Sequence, residues 1–332
     1  MKNYEKYAIA DLHLHLDGSL SSEAIIEVAK DENIKLPTYD PKELRKYLEV
    51  PEDCPSLNEY LKRFDIPGLV LQTKNGLRKC TLDLLKRLSN DGLKYTEIRM
   101  APQLSTNKGL SQEDVVKTLI ETSKEAKNLY GIKSNFILCM MRIPENKKQN
   151  EETIELTKKY LNKGVVAIDL AGAEAIFPNE MFSDLFNKIN KEHLPLTIHS
   201  GEASGAESVK SALSFNPNRI GHGVHSIESE EVMDMLSKRK IPLEICPKSN
   251  LDTKAIKSFK DLPVKEFLNR NIIVTINTDD MSVSNTTLKN EYHILSEEVG
   301  LSDAELRQIA INTINSAFIS DKEKDELFAF IK

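Results

Sequence analysis

The chain has 332 residues, 40% of them hydrophobic, and a formal net charge of −6. That acidic balance argues against nucleic acid or an anionic membrane as a partner, and no apolar run approaches the roughly 18–20 residues of a membrane span. Met1-Lys2-Asn3-Tyr4 leads straight towards a first strand without a signal-peptide core. Cys54, Cys80, Cys139 and Cys246 form no Cys-x-x-Cys pair, so free thiols in a reducing cytoplasm are expected.

The first strand falls in residues 9–18, Ile-Ala-Asp-Leu-His-Leu-His-Leu-Asp-Gly. Residues i and i+2 of a strand share a face, so His13 and His15 leave it together. Asp17 is expected to continue that face, and Gly18 to turn the chain out of the strand. Two converging imidazoles form half of a metal site, although an isolated His-x-His is more often the wet side of a half-buried strand. Ser21-Ser22-Glu23-Ala24-Ile25 then opens an amphipathic helix with a serine cap.

Residues 35–75 are punctuated by Pro37, Pro41, Pro51, Pro55 and Pro67 and read as an elaborated, helical first loop. Within it Leu57, Tyr60, Leu61 and Phe64 recur at i, i+3, i+4 and i+7, one apolar helix face. Plain packing on the barrel is the first reading of that face, and a lid over a pocket the alternative.

From there helices and strands alternate. Helices at about 76–91, 111–129, 150–162 and 179–191 precede strands at 93–99, 133–141, 165–170 and 195–199. Short strands follow at 219–221, 242–246 and 272–277, and a helical tail begins near 287. Runs such as VVAIDL and LPLTIH are apolar throughout, as in a parallel sheet covered on both faces. Eight such units predict an α/β chain folded as a (β/α)₈ TIM barrel, with the elaborated first loop and extra C-terminal helices, in one domain over 1–332.

The polar residues fall on one side of that map. His13 and His15 end the first strand, His199 the fifth, His222 follows the sixth, and Asp279 and Asp280 end the eighth. Barrel active sites are built at the C-terminal ends of strands. Four of the seven histidines in such places is hard to reconcile with ordinary loop polarity.

The sequence resembles the adenosine deaminase family of metal-dependent amidohydrolase barrels over nearly its whole length. The resemblance is carried, in order, by HLHLDGSL (13–20), YTEIRMAP (95–102), AIDLAGAE (167–174), IHSGEASG (198–205), RIGHG (219–223), LEICPKSN (243–250) and NTDD (277–280). It implies that His13, His15, His199 and Asp279 bind one Zn²⁺, for which three imidazoles and a carboxylate are suitable ligands that leave a position for water. The ion's charge would lower the water's pKa from about 15.7 towards 7, and the hydroxide would attack C6 of a purine. By family position His222 orients the water and accepts its proton, with Asp279 sharing that work. Glu202 is the general acid that protonates N1, which requires a raised pKa. Asp280 is assigned to N7, the Gly172 N–H to N3 and Asp17 to the ribose; Gly172 as a simple loop glycine is the alternative.

The implied activity is hydrolytic deamination of adenosine and 2′-deoxyadenosine to inosine and deoxyinosine, with release of ammonia, a purine-salvage step. The substrate is thus a small purine nucleoside. Deamination of adenine or of another 6-aminopurine nucleoside is the alternative. Adenine-specific relatives tend to carry glutamate where this chain has Asp17, and an AMP enzyme would want a basic cluster that is not evident. A cytidine-deaminase-type enzyme would show His-x-Glu and Pro-Cys-x-x-Cys, and Cys246-Pro247 has the wrong order. A non-enzyme scaffold relative would be expected to carry a signal peptide and an N-terminal extension.

Supporting roles are expected for other residues. Glu97 and Arg99 share a strand face and are expected to pair inside the barrel. Glu244 is expected to fix a ligand histidine's tautomer, and Ser249 and Asn250 to support the metal-site loops. Glu207 reads as a solvated helix residue, His193 and His293 as surface or packing residues, and His225 has no assigned role. Three departures from the family pattern, Met281, Ser105 and Asp261-Leu262-Pro263, bear on the ribose side and on loop closure.

Overall fold

Each apolar run becomes a parallel strand, and the amphipathic runs become the helices that cover the strands. In the computed structural model, which describes residues 3–51 and 54–331, β1 (Ala10–His15), β2 (Tyr95–Met100), β3 (Lys133–Met141) and β4 (Val165–Ala171) form one sheet. A second sheet comprises β5 (Thr197–Ser200), β6 (Arg219–His222), β7 (Leu243–Ile245) and β8 (Val274–Ile276). Isolated parallel bridges, Leu14 to Asp279 and Ile168 to Leu196, join the sheets at both seams and close the barrel. Met1 and Lys2 of the expected N-terminal lead, and Glu52 and Asp53 of the first loop, lie outside the described residues.

After β1 come α1 (Ser22–Asp31) and the expected elaborated loop, built of α2 (Pro41–Leu48), α3 (Leu57–Leu61) and α4 (Asp65–Val70). Then α5 (Lys74–Asp91) leads to β2, and α6 (Gln112–Tyr130), α7 (Lys147–Tyr160), α8 (Ser183–Lys191), α9 (Ala206–Ser214) and α10 (Glu230–Arg239) precede β3 to β7. Two short helices, α11 (Pro247–Asp252) and α12 (Val264–Asn269), separate β7 from β8, and α13 (Leu288–Glu297), α14 (Asp303–Ser316) and α15 (Asp321–Phe328) form the tail. The caps are local chemistry. Ser21 accepts from Ala24 N at 3.1 Å to start α1, and Ser111 with Asp114 forms a reciprocal capping box on α6.

Two expectations need correction. Asp17 does not continue the strand face: β1 stops at His15, Leu16 turns to φ −60° and ψ −52°, and Asp17–Ser19 make a tight 3₁₀ turn. The cause is crowding where the loops after β1 and β8 cross, since a Cβ on Gly18 would stand 1.7 Å from Asp280 Oδ1. Nor do Glu97 and Arg99 pair. Residues i and i+2 on a strand are about 6.6 Å apart, so each finds its partners across the barrel interior, on β4, β6 and β7. Arg99 Nη1 donates to Asp169 Oδ2 at 2.7 Å and Nη2 donates to Glu244, whereas Glu97 Oε2 accepts from Arg219 Nη2 at 2.6 Å.

These fully buried charges form the polar floor of the barrel, and every one of them has a counter-charge, which a buried ion requires. The C-terminal tail seals it: the Arg219 guanidinium lies 3.9 Å from the Phe318 ring centroid, and Phe318 N donates to Glu97 Oε1 at 2.6 Å.

Candidate active site

The chain carries its histidines to the C-terminal mouth of the barrel. His13 and His15 share a face of β1, His199 stands in β5, His222 is the last residue of β6, and Asp279 lies just beyond β8. Main-chain bonds hold Asp279 against β1: its N–H donates to His13 O at 2.8 Å, and its carbonyl accepts from His15 N at 2.7 Å. Side chains reinforce that seam. Asp11 Oδ2 accepts from Thr278 N and Oγ1 at 3.2 and 2.6 Å, and Asn277 Oδ1 accepts from Leu12 N at 3.0 Å. His222 and Asp279 are held at φ +59° and +60°, a left-handed conformation that costs a non-glycine residue about 1–3 kcal/mol; at Asp279 it persists under these bonds.

His199 Nε2 lies 3.0 Å from His13 Nε2 and 3.1 Å from His15 Nε2, and Asp279 Oδ1 lies 3.3 and 3.4 Å from the same two atoms. Ligands bound at about 2.0–2.1 Å to a tetrahedral zinc stand about 3.3 Å from one another, so the spacing suits that ion. The tautomers suit it too. His13 Nδ1 donates to Glu244 Oε2 at 3.0 Å, and His199 Nδ1 lies 2.8 Å from Asp169 Oδ2. With Nδ1 protonated, each neutral ring turns its Nε2 lone pair inward. Facing lone pairs repel unless a cation stands between them. Burial, outweighing nearby acids, holds the pKa of His15 well below the ordinary histidine value and lowers that of His199. At His13 burial and Arg99 oppose the charged form, but Asp279 and Glu244 outweigh them and raise its pKa.

His222 is a rival for the fourth ligand position, because His13, His199, His222 and Asp279 also place ligand atoms within 4.8 Å of one another. Its hydrogen bonds argue against ligation. Asn250 Oδ1 accepts from Cys246 N at 3.2 Å, which leaves the Asn250 amide nitrogen to donate to His222 Nδ1 at 3.0 Å. Burial keeps His222 neutral, its pKa well below the usual value, so the ring proton sits on Nε2. That N–H points towards Glu202 Oε2 at 3.6 Å and Asp279 Oδ2 at 3.8 Å. A ring in this tautomer can orient a water through its Nε2–H.

The carboxyls divide into two states. Burial would raise Asp279, but His13, His222 and His15 around it hold it well below the usual carboxylate range. Burial, reinforced by the charges of Asp279 and Glu174, pushes Glu202 well above that range. Asp280 is pushed well above it by burial and by Asp279 and Asp17, and burial lifts Asp17 to about 6. The mouth thus holds one carboxyl shifted down among histidines and two shifted up beside it.

All of these face a cavity of about 270 Å³, into which His15, Asp17, Gly172, Glu202, His222 and Asp280 open. Gly172 lies there at φ +110°. A roof of Leu57, Tyr60, Leu61 and Phe64 covers it, so the apolar face of the first loop lines the pocket rather than merely packing on the barrel. A second cleft of about 420 Å³ lies beside α1 and contains none of the histidines.

The expected supports are in place. Ser249 Oγ donates to Asp279 Oδ2 at 2.7 Å, and His225 lies with Nδ1 3.1 Å from Gly201 O. Glu207 and His193 are exposed, and His293 Nδ1 meets the Tyr4 hydroxyl at 2.7 Å. Sequence reasoning missed Asp169 and Glu174, and it read Tyr60 only as part of an apolar helix face. Asp169 had a signal, an acid inside an otherwise apolar strand. Neither Glu174 nor the polar end of Tyr60 had one, because their partners are remote in the chain.

This arrangement can hold a divalent cation among three imidazoles and a carboxylate and deliver a proton beside it, the equipment of a metal-assisted hydrolase. The chain belongs to the adenosine deaminase family, whose profile matches residues 9–332. It is 47% identical over 333 residues to an adenosine deaminase from Haemophilus ducreyi, covering 98% of this chain and 96% of that one. Among solved structures it is similar to an adenine deaminase from Arthrobacter aurescens, with a TM-score of 0.87 and 28% identity over 97% of both chains. It is also similar to the N6-mAMP deaminase of arabidopsis, with a TM-score of 0.86 and 25% identity over 99% of both chains.

Proposed function

We propose that residues 1–332 form one domain that hydrolytically deaminates adenosine and 2′-deoxyadenosine to inosine and deoxyinosine with release of ammonia. One Zn²⁺ would be held by His13, His15, His199 and Asp279. The observation that carries this reading is the convergence of three histidine Nε2 atoms and one carboxylate oxygen at 3.0–3.4 Å beside Glu202, whose carboxyl burial pushes well above its usual range. Bound there, zinc supplies Lewis acidity, which brings the pKa of water from about 15.7 towards 7.

The chain's own residues supply the rest. His222, as its Nε2–H tautomer, orients the attacking water, and Asp279 Oδ2, held ionised, accepts the proton. Glu202 gives its proton to N1 as the ring loses aromaticity, and its raised pKa keeps that proton available at neutral pH. Asp280, also protonated, donates to N7, a pure acceptor. The Gly172 N–H faces N3, and Asp17 accepts from a ribose hydroxyl. One continuous apolar cluster from Tyr4 to Ile331 supports a single domain. Four buried cysteines, none in a disulfide, support a reducing, cytoplasmic setting. No described helix is long and apolar enough to cross a membrane.

Adenine is the competing substrate, given the likeness to an adenine deaminase. A side-by-side absorbance assay on adenosine, deoxyadenosine, adenine and AMP, with zinc measured on the same sample, decides between them. Adenosine and deoxyadenosine are expected to lead; faster turnover of adenine or AMP would overturn the assignment.

A further inference from the structure

We infer that Glu174 is a positioning residue, whose carboxylate builds the loop that presents Glu202 to the purine and locks it to the loop that carries Gly172. The inference rests on the deaminase reading of the site.

Glu174 follows β4 and is buried. Its Oε2 accepts from the backbone N–H groups of Glu202, Ala203 and Ser204 at 3.1, 2.8 and 3.2 Å. Its Oε1 accepts from Gly201 N at 2.7 Å, Ser208 Oγ at 2.5 Å and Ser200 Oγ at 3.3 Å. Four consecutive N–H groups therefore converge on one carboxylate. They have no helix to bond to, because α9 starts only at Ala206. A carboxylate enclosed by such a concave run of donors makes charge-assisted bonds, stronger than neutral ones.

The loop is pinned from its other side as well. Gly201 O accepts from His225 N at 3.1 Å, and Gly201 itself adopts φ +74° with no room for a Cβ, which would stand 2.4 Å from Val209 Cγ2. With its main chain fixed in this way, Glu202 has its side chain on the cavity, 3.6 Å from His222. Gly172 lies two residues before Glu174 and opens into the same cavity. One carboxylate thus sets the spacing between the group assigned to N3 and the group assigned to N1.

Glutamine is the discriminating replacement. Its shape is retained, but its amide nitrogen is a donor, and whichever way the group turns it faces at least the three N–H groups on one oxygen or the Gly201 N–H on the other. Displacing a proton donor by about 1 Å can cost on the order of 10²-fold in rate. In the zinc-loaded enzyme Glu174→Gln is expected to lower kcat on adenosine by roughly 10–100-fold, with KM within about threefold and zinc content unchanged. Ser208→Ala removes one donor to Oε1 and is expected to lower kcat by a few fold in the same pattern. A zinc-loaded wild type inactive on adenosine would remove the deaminase reading itself. With wild type active, kcat within twofold of it in both variants overturns the role of Glu174, and so does zinc loss that parallels the rate. Where Glu174→Gln does not fold, Ser208→Ala decides alone by the same criterion.

Discussion

The Tyr60 hydroxyl donates to Asp280 Oδ2 at 3.0 Å and lies 2.9 Å from Ser284 Oγ. A residue of the first-loop helix α3 is thereby bonded to the carboxyl assigned to N7, while Asp280 Oδ1 is buried with no hydrogen-bond partner among the described residues. Tyr60→Phe keeps the ring in the roof and deletes the bond, worth about 0.5–1.5 kcal/mol. The KM for adenosine is expected to rise about 2–10-fold with zinc content unchanged. An unaltered KM would show that the roof acts by its apolar surface alone.

Zinc stoichiometry is the second prediction. Metal analysis of purified protein should give about one zinc per chain, the content of a single four-ligand site. His199→Ala should lose metal and activity together while circular dichroism still reports a folded barrel. Full activity in metal-free protein would refute the ligand assignment.

Glu202 separates acid from metal. Glu202→Gln keeps shape and reach but has no proton to transfer, so zinc should bind normally while the rate drops on the order of 10²–10⁴-fold. The wild type should lose activity as pH rises through the elevated pKa of Glu202, because only the protonated form donates. Asp279, held low, should limit the rate only on the acid side. Retained activity in the glutamine variant would take Glu202 out of the mechanism.

Substrate choice follows from what lines the cavity. No lysine or arginine does so among the described residues, and Asp17 stands at its edge, so a 5′-phosphate has no counter-charge there. AMP should be turned over negligibly. Asp17→Ala should raise the adenosine KM and narrow the gap to adenine, which has no hydroxyl for that carboxylate. Equal discrimination in wild type and variant would exclude Asp17 from nucleoside selection.

Glu291 makes a prediction about stability rather than rate. Burial lifts its pKa to about 8, against the donors Thr286 and Lys248 N, whereas an unfolded glutamate titrates near 4.5. The folded state therefore binds this proton more tightly. Its contribution is fully present below about pH 4.5 and is lost as pH rises through 8. The Tm of the wild type should fall relative to that of Glu291→Gln between pH 5 and 9; parallel Tm profiles would contradict the shift.

Strand ends and the periods of two and 3.6 were legible because they are local. His13 and His15 announce a shared face, and the acid Asp169 stands out in an apolar strand. Long-range partners were not legible. Tyr60 and Asp280 are separated by 220 positions, and Glu174 by 27–30 from the N–H groups it gathers. The expected Glu97–Arg99 pair failed because nearness along a strand is not nearness of side chains at one level. The left-handed turns at His222 and Asp279 also left no mark, since neither residue is glycine. They arise from contacts that exist only once the barrel has closed.

The seams of that barrel give the metal site a mechanical meaning. His13 and His15 come from the first half, while His199 and Asp279 come from the second. Their supporting acids cross the other way: Glu244 of the second half holds His13, and Asp169 of the first half lies against His199. An ion at this point would clasp two sheets whose strands meet through isolated bridges at the seams. Binding energy spent there resists splaying of the halves, so chelation should loosen the strands flanking the seams before the rest of either sheet. Hydrogen exchange at Leu14 and Ile168 would register that unlatching ahead of any global unfolding.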